Sequence, residues 1–152
     1  MSHSLTFRCQ NHYDEKISKG KNLEMKFVAD SMLGRLAKWL RVLGYDTIYR
    51  SCYQPHVIDL LVKDGRILLS RQKDLTNKYS NAVMIYENNV ERQIVGLKRS
   101  MGLIPDHTKW FCRCLICNTL LQGIDPNDVL GNVPDYVFHQ NMKGIHYCPS
   151  CG

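Results

Sequence analysis

Polar and apolar positions alternate in blocks along this chain, and the blocks change period in a repeating way. Lys26-Phe-Val-Ala-Asp30 is a short run apolar enough to be a buried strand. Met32, Leu33, Leu36, Leu40 and Leu43 then recur at spacings of three and four, which predicts a helix with one apolar face. Asp30 or Ser31 is placed to cap its start, and Gly44 sits just past its end. Asp46–Arg50 predicts a second strand. Pro55 suits the first turn of a second helix, with Val57, Leu60 and Leu61 inward and Gly65 closing it. Arg66–Ser70 predicts a third strand, buried on both faces. A short polar helix over 72–79, a strand over Ala82–Tyr86 and a helix over Asn89–Met101 complete the pattern, and Gly102 stops it.

Strand and helix alternating in this way predict a parallel sheet flanked by helices, an α/β fold. The pattern breaks at Pro105. Beyond it come turn signals at Asp125-Pro126, Leu130-Gly-Asn132 and Lys143-Gly144, which predict a small β-rich unit. Residues 1–24 show little periodicity and read as a flexible extension. The expected organisation is therefore 1–24 extension, 25–104 α/β domain and 105–152 small C-terminal unit.

The cysteines explain what holds that last unit together. Cys114-Leu-Ile-Cys117 and Cys148-Pro-Ser-Cys151 are two paired knuckles of the kind that supply four thiolates to one structural Zn²⁺. Cys112 is a less apt ligand because it lies outside the regular spacing. A closed four-thiolate site leaves no open position for chemistry, so the activity must be sought in the α/β part. Seven cysteines in paired spacing, with no signal-peptide core, favour a metal over disulfides and a cytoplasmic location. No apolar run approaches the ~18 residues of a membrane span.

The net charge of +6 is uneven. Residues 25–102 hold thirteen Lys/Arg against seven Asp/Glu, while residues 103–152 are slightly acidic. A basic field of this kind draws polyanions, nucleic acid first, although a merely solvated basic surface has the same composition. Arg35, Lys38 and Arg41 form a candidate phosphate-binding stripe on the first helix. Arg71 and Lys73 follow the third strand, at the carboxyl edge where open α/β sheets bind ligands. Asp30 and Asp74 reach the same edge. An aspartate there serves either as a metal ligand or as a cap. Trp39 and Tyr45 read as packing residues.

The stretch from Lys26 through Asp30-Ser-Met-Leu-Gly34-Arg-Leu-Ala-Lys-Trp-Leu-Arg-Val-Leu-Gly44-Tyr-Asp46 resembles the opening of a PIN-like ribonuclease family named after the C-terminal domain of the Mut-seven nuclease. Gly65-Arg-Ile-Leu-Leu-Ser-Arg71 resembles its second signature, and Arg113-Cys-Leu-Ile-Cys-Asn118 its third, at the entry to a zinc ribbon. The similarity spans roughly residues 25–152. It implies a PIN-like fold, RNA as substrate, and a Mg²⁺ site of acidic residues. Its first carboxylate falls on Asp30, but two further acidic positions fall on Gln54 and Gln72. Asp74, two residues past Gln72, and Asp59, just over a turn past Gln54, are the available substitutes. Mg²⁺ is held mainly by carboxylate charge, so neutral amides weaken such a site. Three functions follow from these features: a Mg²⁺-dependent endoribonuclease using Asp30 and Asp74, a non-catalytic RNA-binding relative, or a protein-interaction module built on the zinc ribbon.

Overall fold

The computed structural model describes residues 24–141 and 144–152, so the expected extension lies outside the described residues except for Glu24. Four strands form one parallel sheet: β1 (Lys26–Ala29), β2 (Asp46–Tyr49), β3 (Ile67–Ser70) and β4 (Ala82–Met84). Their spatial order is β2-β1-β3-β4. Each connection carries a helix, namely α1 (Gly34–Val42), α2 (Pro55–Lys63) and α3 (Lys73–Lys78), and α4 (Val90–Met101) follows the last strand. The α/β architecture predicted from the alternation is thus the one observed.

The strand order puts helices on both faces. Phe27, Ala29 and Leu69 pack with Leu33, Leu36 and Leu40 around α1 and with Leu97 of α4. Val28 and Leu68 pack on the other face with Ile58 of α2, joined by Tyr53, Leu75 and Tyr79. Each fully buried side chain of this size contributes about 1.5–3 kcal/mol. The chain leaves β1 toward β2 and returns past β1 to β3, so the crevice between β1 and β3 is where neighbouring connections diverge.

Local signals account for most element ends. Asn89 caps α4 by accepting from the Glu91 and Arg92 amides, and Gly102 ends it in the left-handed conformation at φ 68°. At α1 the expected cap differs: Leu33 is the capping residue, and no side chain bonds there. Asp30 instead closes the turn before the helix, its Oδ1 accepting from the Met32 amide at 2.9 Å.

Two expectations about α1 are reversed. Trp39 is 47% exposed, whereas Arg41 is only 3% exposed. Met32, expected on the apolar face, is also exposed. Tyr45 does pack, edge-on to Phe27 with ring centroids 5.7 Å apart.

The C-terminal segment holds one antiparallel pair, β5 (Gln122–Gly123) with β6 (His146–Tyr147), and a single bridge between Arg113 and Leu120. It also contains a helix that its turn signals did not predict, α5 (Asp135–Asn141). This segment docks at the amino ends of the strands. The Phe111 amide donates to the Val42 carbonyl, and Tyr45 Oη donates to that of Ile104. Gly44 is required there: it adopts φ 92°, and a Cβ would lie 2.5 Å from the Lys109 carbonyl oxygen.

Candidate functional site: two ends of one sheet

At the amino ends of the strands, charged side chains lock the cysteine segment to the sheet. Arg41 buries its guanidinium, with Nε donating to the Thr47 carbonyl and one terminal nitrogen donating to Leu115 and Ile116 at 2.8 and 3.2 Å. Those two carbonyls lie inside the first cysteine knuckle. Arg41 therefore leaves the expected phosphate-binding stripe, because its charge is consumed by backbone dipoles. Burial lowers its pKa from the usual arginine range, against the raising influence of the nearby Cys114 and Cys117.

Beside it, Asp46 takes two bonds from Arg66, at 2.7 and 3.2 Å, and a third from the Asn118 side-chain amide at 2.8 Å. Asn118 Oδ1 in turn accepts from the Thr47 amide at 3.0 Å. Burial alone would raise the Asp46 carboxyl. The hydrogen bonds from Arg66 and Asn118 and the charges of Arg66 and Arg113 outweigh it and hold the carboxyl below the ordinary range. Arg113 Nε donates to the Gly44 carbonyl and its terminal nitrogen to that of Asn118. Arg41, Asp46, Arg66, Arg113 and Asn118 each lie in one of the three stretches quoted above. Sequence reading gave none of them this role, because the bonds that join the two parts span about 70 residues of chain.

The four sulfurs of Cys114, Cys117, Cys148 and Cys151 lie within 4.8 Å of one another and could hold a metal ion such as zinc. Cys114 Sγ is 3.5 Å from Cys151 Sγ, and Cys117 Sγ is 3.4 Å from Cys148 Sγ. Four thiols this close resist ionising together: the neighbouring sulfurs push Cys151 up to about 12, while hydrogen bonding with Thr119 draws Cys117 down to about 6. A cation between them relieves that conflict. Cys112 stands outside the cluster.

At the carboxyl ends the chemistry is different. A cleft of about 310 Å³ opens beside β1, lined among others by Asp30, Tyr53, Gln72, Lys78 and Tyr79. Asp30 is 2% exposed. Its Oδ2 accepts from the Ser70 hydroxyl and from the Arg71 amide at 3.0 Å, in addition to the Met32 bond on Oδ1. The carboxylate thereby ties the end of β1 to the end of β3. Ser70 Oγ passes the chain of bonds on by accepting from the Gln72 amide.

The other carboxylates do not gather round it. Asp74 is exposed in the first turn of α3 and does not line the cleft. Asp59 accepts from Tyr79 Oη and from Lys78 Nζ, and these bonds hold its carboxyl below the ordinary range. Gln54 and Gln72 are the N-caps of α2 and α3, and neither caps through its side chain. Among the described residues, the four cysteines are the sole group of three or more His, Cys, Asp or Glu close enough to share an ion. Sequence reading also missed Tyr53, whose hydroxyl donates to the Ala29 carbonyl at 2.9 Å and whose phenol burial pushes up to about 12.

Of the expected RNA-contacting residues, Arg35, Lys38 and Lys73 are exposed. Arg71 is half-buried and donates to the Asn88 side chain. None of the four enters an ion pair among the described residues. No described helix is long and apolar enough to cross a membrane.

No curated protein and no solved structure matches the chain. A family model does: the Mut7-C RNAse domain matches residues 25–152, from β1 through the second cysteine knuckle, and the chain belongs to that ribonuclease-type family.

Proposed function

We propose that this family member binds RNA at the carboxyl end of its sheet without cleaving it by a Mg²⁺ mechanism, and that zinc in the cysteine site is structural. The observation that carries this reading is the state of Asp30. Its carboxylate already accepts three bonds from Met32, Ser70 and Arg71, and among the described residues no second carboxylate lines the cleft. Mg²⁺ needs anionic oxygens in near-octahedral array and gives up its waters reluctantly. Gln72 offers only a neutral amide, and Asp59 is engaged by Tyr79 and Lys78. These residues do not fit a Mg²⁺ centre.

The cations, by contrast, suit a phosphate backbone. Arg50, Arg71 and Lys73 follow β2 and β3 at the same edge, and Arg35 and Lys38 continue along α1. Exposed acids share that edge, Asp74 in the first turn of α3 and Glu91 in that of α4, but α1 carries none. Zinc is favoured at the other end by the donor set: four thiolates at a Zn–S distance of ~2.3 Å imply a sulfur–sulfur edge of about 3.8 Å, close to the 3.4 and 3.5 Å found.

The experiment is binding and cleavage of the same labelled single-stranded RNA in Mg²⁺ and in a chelator that removes Mg²⁺ but is too weak to strip a four-thiolate zinc site. The expected result is equal affinity in both, a steep fall with salt, and no cleavage above buffer in either. Cleavage that needs Mg²⁺ and disappears in Asp30→Asn, with that variant still folded, would establish the endoribonuclease instead.

A further inference from the structure

The outer face of α1 carries an arrangement that the cleft does not explain. The helix holds three cations and no carboxylate. Leu36, Ala37 and Leu40 face the core, and Arg41 is buried under the cysteine knuckle. At ~100° per residue, Arg35, Lys38 and Trp39 then share an arc of about 100° on the solvent side, with Trp39 one turn beyond Arg35. The indole is 47% exposed. No ion pair among the described residues engages Arg35 or Lys38. A large aromatic left in water beside two unneutralised cations is complementary to a flexible polyanion that carries π faces of its own.

We infer that Trp39 is a base-stacking residue of a track for single-stranded RNA along α1, with Arg35 and Lys38 holding the flanking phosphates. The inference rests on the RNA-binding function proposed above and deepens it by naming unpaired nucleotides as the favoured form. A duplex keeps its bases stacked inside and presents mainly phosphate and sugar, so it can use the cations but not the indole. Unpaired bases can leave one another for the indole, whose stacking tolerates any sequence. α1 begins at Gly34, just past Asp30 and Ser31, so a strand held by Arg71 and Lys73 reaches this face without crossing the core. An apolar protein partner fits less well, since it would desolvate Arg35 and Lys38 without neutralising them.

The test uses the full chain with Trp110→Phe, which leaves Trp39 as its one tryptophan. Among the described residues Trp110 Nε1 is buried without a hydrogen-bond partner, so its loss leaves no acceptor stranded there. Titration with short oligouridine is expected to quench Trp39 fluorescence. In the otherwise native chain, Trp39→Ala should weaken single-stranded RNA binding about tenfold, toward the lower end of the range for stacking one base on an aromatic ring. Duplex affinity should stay unchanged, and Trp39→Phe should recover most of the loss. Wild-type RNA binding that Trp39→Ala leaves intact would overturn the stacking role while leaving the RNA-binding function standing. Equal losses on single and double strands would also overturn it, as would quenching by an acidic polypeptide but not by oligouridine. A wild-type chain that binds neither RNA form would remove the proposed function and this inference together.

Discussion

The two ends of the parallel sheet carry similar residue types and use them in opposite ways. At the amino end, Arg41, Arg66 and Arg113 face carbonyls and the Asp46 carboxylate, and these three guanidinium charges are directed inward. At the carboxyl end, Asp30 is the charge turned inward, and Arg35, Lys38 and Lys73 remain in solvent. Buried arginines with fixed acceptors make a joint, whereas exposed cations outside the ion pairs of the described residues leave a surface open to polyanions. A count of basic residues does not separate the two. Their surroundings do.

Removing the proposed zinc is the strongest way to break the amino-end joint. Structural zinc contributes on the order of 10 kcal/mol to small metal-dependent folds. Cys117→Ser, or chelation of the native chain, should give the largest fall in thermal stability. It should also loosen α1 and β2, since the knuckle carbonyls that hold Arg41 would lose their positions. Hydrogen exchange across residues 34–49 reads that spread, and protection unchanged after metal loss would show that the joint is not coupled to the site.

Asp46→Ala comes next. It strands the Arg66 guanidinium and the Asn118 amide in a largely buried setting, where loss of one partner of an ion pair costs about 3–5 kcal/mol. Chemical denaturation measures it, and a cost near zero would reduce the pair to a surface contact. The same carboxyl sets a pH dependence. Its folded pKa is depressed, so its stabilising contribution is complete above the unfolded value of ~3.9 and fades as pH falls from there through the lower folded value. Asp46→Asn should flatten that part of the acid profile.

Asp30→Ala tests the carboxyl end. It leaves the Met32 and Arg71 amides and the Ser70 hydroxyl without their acceptor, at a cost of about 1–3 kcal/mol in stability. RNA affinity should not fall with it. A variant of native stability with lost RNA binding would make Asp30 a ligand-contacting residue. Smallest of all, Lys73→Gln should weaken binding alike for all sequences and lower the salt slope by about one, with no change in unfolding.

Much of this was legible in the chain. The four strands fall within one or two residues of their predicted spans, because buried parallel strands are short apolar runs bounded by turn residues. Asp30 was placed correctly at the end of β1, yet its partner Ser70 could not be read, since they lie 40 residues apart. The exchange of roles between Trp39 and Arg41 has the same origin. Helical periodicity finds the face that packs on the sheet, but it is blind to what covers a helix flank. Arg41 sits on such a flank, and the carbonyl that buries it comes from 74 residues later. Trp39 was assigned inward on residue type alone, and its arc contradicts that. In the C-terminal segment, turn signals hid α5, whose seven residues are too few for a periodic pattern.

The most direct measurement is the affinity of the full chain for a labelled single-stranded RNA, taken in Mg²⁺ and again in a chelator too weak to strip a four-thiolate zinc site, with the RNA recovered and sized afterwards. Equal affinities and intact RNA are the expected result. Shortened RNA in the Mg²⁺ sample alone would contradict it.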